Sequence, residues 1–139
     1  MADRVEILTL HRYFIWADRM RVYFYSLLNS GVKETEMHMH PYLTYWYAGT
    51  YVVIEGWREL GLSDPEIDAL LASPNVELLR RSRNGAFHFQ RRYYDERFTD
   101  FWGAPDSAAW LRALREALSR WFLSFFKEHE PKAQEGDQR

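Results

Sequence analysis

Apolar residues recur at helical spacing through most of this chain. From residue 5 to about 29, Ile7, Leu10, Phe14, Ala17, Phe24 and Leu28 follow one another at three- and four-residue steps, apart from one full-turn gap. That pattern predicts a long amphipathic helix. Arg12, Arg19 and Ser26 repeat every seven residues on its opposite side, and Asn29-Ser30-Gly31 supplies a stop, with Gly31 suited to the left-handed capping position. A polar connection over residues 32–36 leads to Met37-His38-Met39-His40-Pro41. Proline fits the first turn of a helix but not its interior, so a second helix is expected to begin close to Pro41 and run to Leu60, where Gly61 closes it. Ser63-Asp64-Pro65-Glu66 reads as a capping box with Ser63 as N-cap. It opens a short helix through Ile67, Leu70 and Leu71 that Ser73-Pro74 stops. Asn75 is expected to cap the next helix, whose apolar side is Val76, Leu78 and Leu79, and Asn84-Gly85 marks a break or kink at its end. Phe87, Phe89, Tyr93 and Tyr94 continue an aromatic segment predicted to be helical again before Trp102-Gly103-Ala104-Pro105. The cleanest stripe comes last: Leu111, Leu114, Leu118, Trp121, Phe122 and Phe125, with Arg112, Glu116, Arg120 and Lys127 outside. Asp106 is its expected cap, Pro131 its end, and residues 132–139 a disordered polar tail.

Two-residue alternation is confined to a short run around Phe87-His88-Phe89, and no repeat or linker divides the chain. The expected fold is all-α: one domain over residues 1–130, an up-and-down bundle of four main helices plus a short one.

Composition changes this picture in three ways. Six Trp, nine Phe and nine Tyr in 139 residues exceed what a monomeric core of this size comfortably hides, so part of that surface is expected at a subunit interface or in a groove. A net charge of −2 argues against a general nucleic-acid coat protein but leaves room for a local basic site. The absence of cysteine removes disulfides, thiol catalysis and cysteine-ligated metal from consideration. Charged residues within Met1-Ala2-Asp3-Arg4-Val5-Glu6 speak against a signal peptide, which makes the cytoplasm the expected location. Residues 42–57 imitate a membrane span, yet they are too short and carry Thr44, Thr50, Glu55 and four tyrosines; a buried central helix explains them better.

The chemistry concentrates in Arg83-Asn84-Gly85-Ala86-Phe87-His88. A guanidinium presents a fork of donors matched to phosphate oxygens, and an imidazole both takes and gives a proton near neutral pH. Together they suffice, without a metal, to take a proton from a 2′-hydroxyl and to hold the charge that builds on phosphorus. Arg80, Arg81, Arg91 and Arg92 flank the motif and are candidates for guiding an RNA backbone, or for a merely solvated helix face. Glu55, in the middle of the most apolar helix, calls for a partner. Arg58 or one of Arg80–Arg83 would give a structural ion pair, while a place beside Arg83 or His88 would orient the site. His38 and His40 are two apart rather than the three or four of a helical ligand pair, so no metal is expected. Tyr42, Tyr45, Trp46, Tyr47 and Tyr51 read as core or dimer contact in preference to a base-stacking platform. No glycine loop or dinucleotide fingerprint points to a cofactor, and none is expected.

An all-helical domain of this size with Arg83-Asn84 and His88, four residues separating arginine from histidine, resembles the HEPN superfamily. The motif covers six residues; helix order and motif position extend the likeness over roughly residues 5–129. The resemblance implies a metal-independent endoribonuclease acting as a homodimer, its two motifs facing one another across a cleft, in stress response or defence and with a possible antitoxin partner. In it His88 is general base or acid, Arg83 the transition-state clamp and Asn84 a positioning donor. Members that have lost activity imply the other reading, a non-catalytic dimerisation or binding module. An open placement of Arg83 and His88 favours the enzyme, and a packed one the module.

Overall fold

Six α-helices carry the described residues of the computed structural model, 2–31 and 36–131, and no strand is found among them. They are α1 (Arg4–Leu28), α2 (Glu36–Glu59), α3 (Pro65–Leu71), α4 (Asn75–Phe87), α5 (Glu96–Gly103) and α6 (Ser107–Glu128). Residues 32–35 and 132–139, and with them the expected connection and polar tail, lie outside this description.

The first helix starts on a reciprocal cap. Asp3 Oδ1 accepts from the Glu6 amide at 2.9 Å, and the Asp3 amide donates to Glu6 Oε2 at 2.8 Å. Two of the orphan donors at the helix start are thereby satisfied. Its inner face buries Ile7, Leu10 and Ala17, with Phe14 and Phe24 packed partly against the core; Leu28, at the frayed end of the stripe, is exposed. The α1 helix runs antiparallel along α2, as Phe24 meets Trp46 near one end and Leu10 meets Gly56 near the other. A Cβ on Gly56 would come within 2.5 Å of Leu10 Cδ1, so a larger residue there would force the Leu10 side chain to shift.

The second helix is the centre of the molecule. Trp46, Tyr51, Val53, Ile54 and Trp57 are buried, between α1 on one side and α4 on the other. It begins at Glu36, a turn earlier than expected, and Pro41 lies within its second turn. The chain takes the left-handed conformation at Gly31 and Gly61, where the patterning calls for helix stops. The α4 helix then returns along α2, with Arg83 over Tyr51 and Phe87 against Tyr45. The last helix buries Leu111, Leu114, Leu118 and Phe122 with Trp121 and Phe125 at the edge, while Arg112, Glu116, Arg120 and Lys127 face outward. It holds α3 through the Trp110 indole, which donates to the Leu70 carbonyl at 2.9 Å.

Several local expectations are corrected. Asp64, not Ser63, caps α3, accepting from the amides of Glu66 and Ile67; Ser63 donates instead to Asp68, and Glu66 accepts from Arg120 across to α6. Asn75 does not cap α4 but is its first residue, its amide donating to Ser73 Oγ at 3.1 Å. Asp106 is the N-cap residue of α6, as expected, but its side chain makes no capping bond. Asn84-Gly85 is no break, since α4 continues to Phe87. Gly85 marks a close crossing: a Cβ there would meet Arg97 Cβ at 3.0 Å and the Phe98 ring at 3.2 Å, both on α5. The aromatic segment is helical only in its second half, because residues 88–95 form an irregular connection before α5.

Candidate functional site

Arg83 lies on the face of α4 that meets α2. Its guanidinium carbon sits 4.7 Å over the Tyr51 ring centroid, its Nη1 donates to Glu55 Oε2 at 3.0 Å and its Nε to Asn84 Oδ1 at 3.3 Å. Tyr51 and Glu55 are four apart and share one face of α2, so a single arginine spans a turn of its neighbour. Glu55 itself is not the buried carboxylate its apolar surroundings suggest; its side chain is 48% exposed and Arg83's 25%. A pair so open to solvent adds about 0–1 kcal/mol. Arg58 is occupied elsewhere, donating to the Leu71 carbonyl at 3.3 Å. Towards Arg83, Asn84 acts as an acceptor through Oδ1, which leaves its side-chain NH2 as a donor. Two of the five guanidinium N–H donors are thus used within the protein, and the others remain for a ligand.

His88 is placed quite differently. It is the residue at which α4 ends, its backbone already extended (φ −121°, ψ 126°) while its amide still donates to the Asn84 carbonyl at 3.0 Å. Its side chain is exposed, and the imidazole makes no hydrogen bond, ion pair or ring contact among the described residues. Five residues correspond to about 140° around an α-helix, so Arg83 and His88 leave α4 on different sides. What steadies His88 is its backbone. Gln90 Nε2 donates to the His88 carbonyl at 2.7 Å, Arg97 Nη1 donates to Gln90 Oε1 at 2.9 Å, and the same guanidinium meets Asp95 at 3.1 Å. Asp95 also accepts from the Arg97 amide at 2.9 Å, and that bond, with the guanidinium and the neighbouring Arg92, holds its carboxyl below the usual range. No periodicity in the sequence announces this clasp of Gln90, Asp95 and Arg97. Its one legible trace is Asp95 immediately before a helix start.

The flanking arginines divide. Arg80 is paired with Glu77 one turn earlier on α4, at 2.5 Å, and Arg81 with Asp100 on α5, also at 2.5 Å. Both charges are partly spent on structure. Arg91 and Arg92 are exposed on the irregular segment beside His88 and form no ion pair. Phe87 and Phe89, on either side of His88, are 61% and 93% exposed. The tyrosine stripe of α2 also splits: Trp46 and Tyr51 are core, Tyr47 is at its edge, and Tyr45 is exposed against Phe87. His40 stacks on Trp102, with ring centroids 5.5 Å apart, and no metal-ligating cluster occurs among the described residues. No helix among them is long and apolar enough to cross a membrane. No family model, curated protein or solved structure matches the chain.

Proposed function

We propose that this chain is a HEPN-type, metal-independent endoribonuclease whose up-and-down helical bundle works as a homodimer. The observation that carries the reading is the unengaged imidazole of His88, exposed at the end of the helix that holds Arg83 against Glu55, Asn84 and Tyr51. A proton-transfer group must be reachable, and a phosphate clamp must be held still; these two residues meet those different demands. In the reaction one His88 takes the proton from the ribose 2′-hydroxyl. The 2′-oxygen attacks phosphorus while Arg83 stabilises the added negative charge, and the 5′-oxygen leaves with a proton from the second His88. The products are a 2′,3′-cyclic phosphate and a 5′-hydroxyl.

Arg83 and His88 leave α4 on different sides, and His88 lies at the open surface, so one subunit supplies only half of such a site. Phe87 and Phe89 give the motif an apolar border of the kind that a two-fold partner buries. Arg91 and Arg92, unpaired on the same segment, suit a phosphate backbone better than Arg80 and Arg81 do. The second reading, a non-catalytic dimerisation module, is favoured by the same Arg83 contacts, which cross-link α2 to α4 whether or not RNA is present. Incubation of labelled single-stranded RNA with the protein in excess chelator separates them. The nuclease reading expects cleavage by the wild type and none by His88→Ala; the module reading expects none by either.

A further inference from the structure

A cavity of about 280 Å³ opens between the first half of α2, α4, α5 and the irregular segment. Rings make most of its wall. His40 and Trp102, one from α2 and one from α5, stack on each other with planes within 20° of parallel, so each ring turns one face toward the other and keeps its second face outward. Phe98 stands beside them, and Tyr93 and Tyr94, packed edge to face at 4.9 Å, reach in from the segment that begins at His88. Apart from the His40 imidazole, the polar side-chain groups are hydroxyls. Among the described residues the Tyr47 phenol and the Thr44 and Thr99 hydroxyls make no hydrogen bond, and Ser82 donates to the Arg97 carbonyl at 3.2 Å while its lone pairs stay available. Burial pushes the Tyr47 phenol up from its ordinary value, so it is a donor at any working pH. No carboxylate and no arginine or lysine lines the wall.

We propose that this cavity binds a single nucleobase, stacked against the Trp102 indole and read at its edge by Thr44, Tyr47 and Thr99. Flat rings with free hydroxyls select a planar, neutral ligand with polar edges. An anion finds no arginine or lysine there. A quaternary ammonium, which aromatic cages hold by surrounding it with ring faces, finds no carboxylate to match its charge. The volume, just below the roughly 300–1,000 Å³ of sites for drug-sized ligands, suits one base rather than a dinucleotide. The site stands on its own geometry; that the base belongs to an RNA rests on the nuclease reading. Ser82 directly precedes Arg83, and Tyr93 and Tyr94 share a segment with His88, so a base held here would give that cleavage a sequence preference.

Titration calorimetry of the full chain with adenosine, guanosine, cytidine and uridine 5′-monophosphates, inorganic phosphate and choline tests this. At least one nucleotide should bind with one-to-one stoichiometry, and phosphate and choline should not. Trp102→Ala should weaken binding by about fivefold or more, the loss of one stacking surface. Trp102→Phe should largely restore it, and Thr44→Val and Tyr47→Phe, which remove hydroxyls alone, should flatten the preference among bases. Absence of nucleotide binding overturns the proposal, as does binding unchanged in Trp102→Ala or matched by phosphate or choline. Nucleotide binding by a chain that cleaves no RNA keeps the cavity and removes the nuclease; cleavage without binding does the reverse.

Discussion

The two halves of the Arg83–His88 motif sit in unlike surroundings. Arg83 belongs to the α2–α4 pair, where regular helices fix every neighbour it has, Tyr51 beneath it, Glu55 beside it and Asn84 behind it. His88 opens the irregular stretch 88–95, whose apolar side chains are exposed and whose shape depends on polar bonds among Gln90, Asp95 and Arg97. Packing positions the first and a small hydrogen-bonded clasp the second. In the proposed nuclease, Arg83 would be the rigid clamp and His88 the adjustable proton-transfer group.

The sharpest way to break that comparison is to remove each half. His88→Ala should abolish RNA cleavage, by a factor of about 100 or more, while unfolding free energy stays within about 0.5 kcal/mol, because the side chain is exposed and makes no hydrogen bond or ion pair among the described residues. Arg83→Ala should abolish cleavage equally but destabilise by about 1 kcal/mol, through the Glu55 pair and the Tyr51 ring. Urea denaturation alongside the cleavage assay reads both. A loss of several kcal/mol for His88→Ala would mean that the imidazole is packed after all.

The next largest effect tests the seam between the two regions. Gly85→Leu forces α5 away from α4, since even a Cβ meets Arg97 and Phe98 at 3.0–3.2 Å. It should cost about 1–3 kcal/mol and loosen residues 88–95 along with it. Hydrogen exchange that rises in α5 and the segment while α1 and α2 stay protected would agree; uniform exchange would show that the segment does not depend on that crossing.

That contrast also explains what the sequence makes legible. The helices α1, α2 and α6 are long enough for their apolar spacing to outweigh local ambiguity, and Ile7, Leu10, Leu114 and Phe122 are core as their period requires. The 88–95 segment defeats the same logic. Phe87, Phe89, Tyr93 and Tyr94 look like an apolar face, yet they are exposed, because what fixes the backbone is a set of polar bonds without periodicity. Gly85 carries the same signal for a helix break as for a close approach, and only the position of α5 decides between them. Ser63 and Asp64 can each cap α3, and adjacent residues of equal capping chemistry are not distinguished by pattern. At the site, Glu55's need for a basic partner is legible; that the partner is Arg83, and that Arg81 turns instead to Asp100 nineteen residues on, belongs to tertiary structure.

A smaller effect probes the clasp alone. Arg97→Ala releases Gln90 and Asp95 together, and it should reduce cleavage severalfold while global stability changes by about 1 kcal/mol or less. Amide exchange confined to residues 88–95 is the matching readout. Full activity with a loosened segment would remove the need for an ordered His88.

The smallest effect concerns a histidine at the far side of the core. His11 is set against Phe122 and Phe126, with centroids 4.9 and 5.1 Å away, and desolvation lowers its pKa from 6.5. The unfolded chain therefore binds this proton more readily than the folded one. The His11 contribution is fully present above pH 6.5 and is lost as pH falls from there through the lower folded value. His11 is only partly buried, so the decline should be slight, and His11→Gln should remove it from a stability profile taken between pH 5 and 7. An unchanged slope would assign that pH dependence to other groups.

The nature of the RNA ends tests the nuclease reading most directly. Fragments produced by the wild-type protein in excess chelator should carry 2′,3′-cyclic phosphates and 5′-hydroxyls, and His88→Ala should produce none. Fragments with 5′-phosphates and 3′-hydroxyls, or cleavage that chelator abolishes and magnesium restores, would contradict a mechanism in which the 2′-oxygen attacks and Arg83 and His88 carry the chemistry.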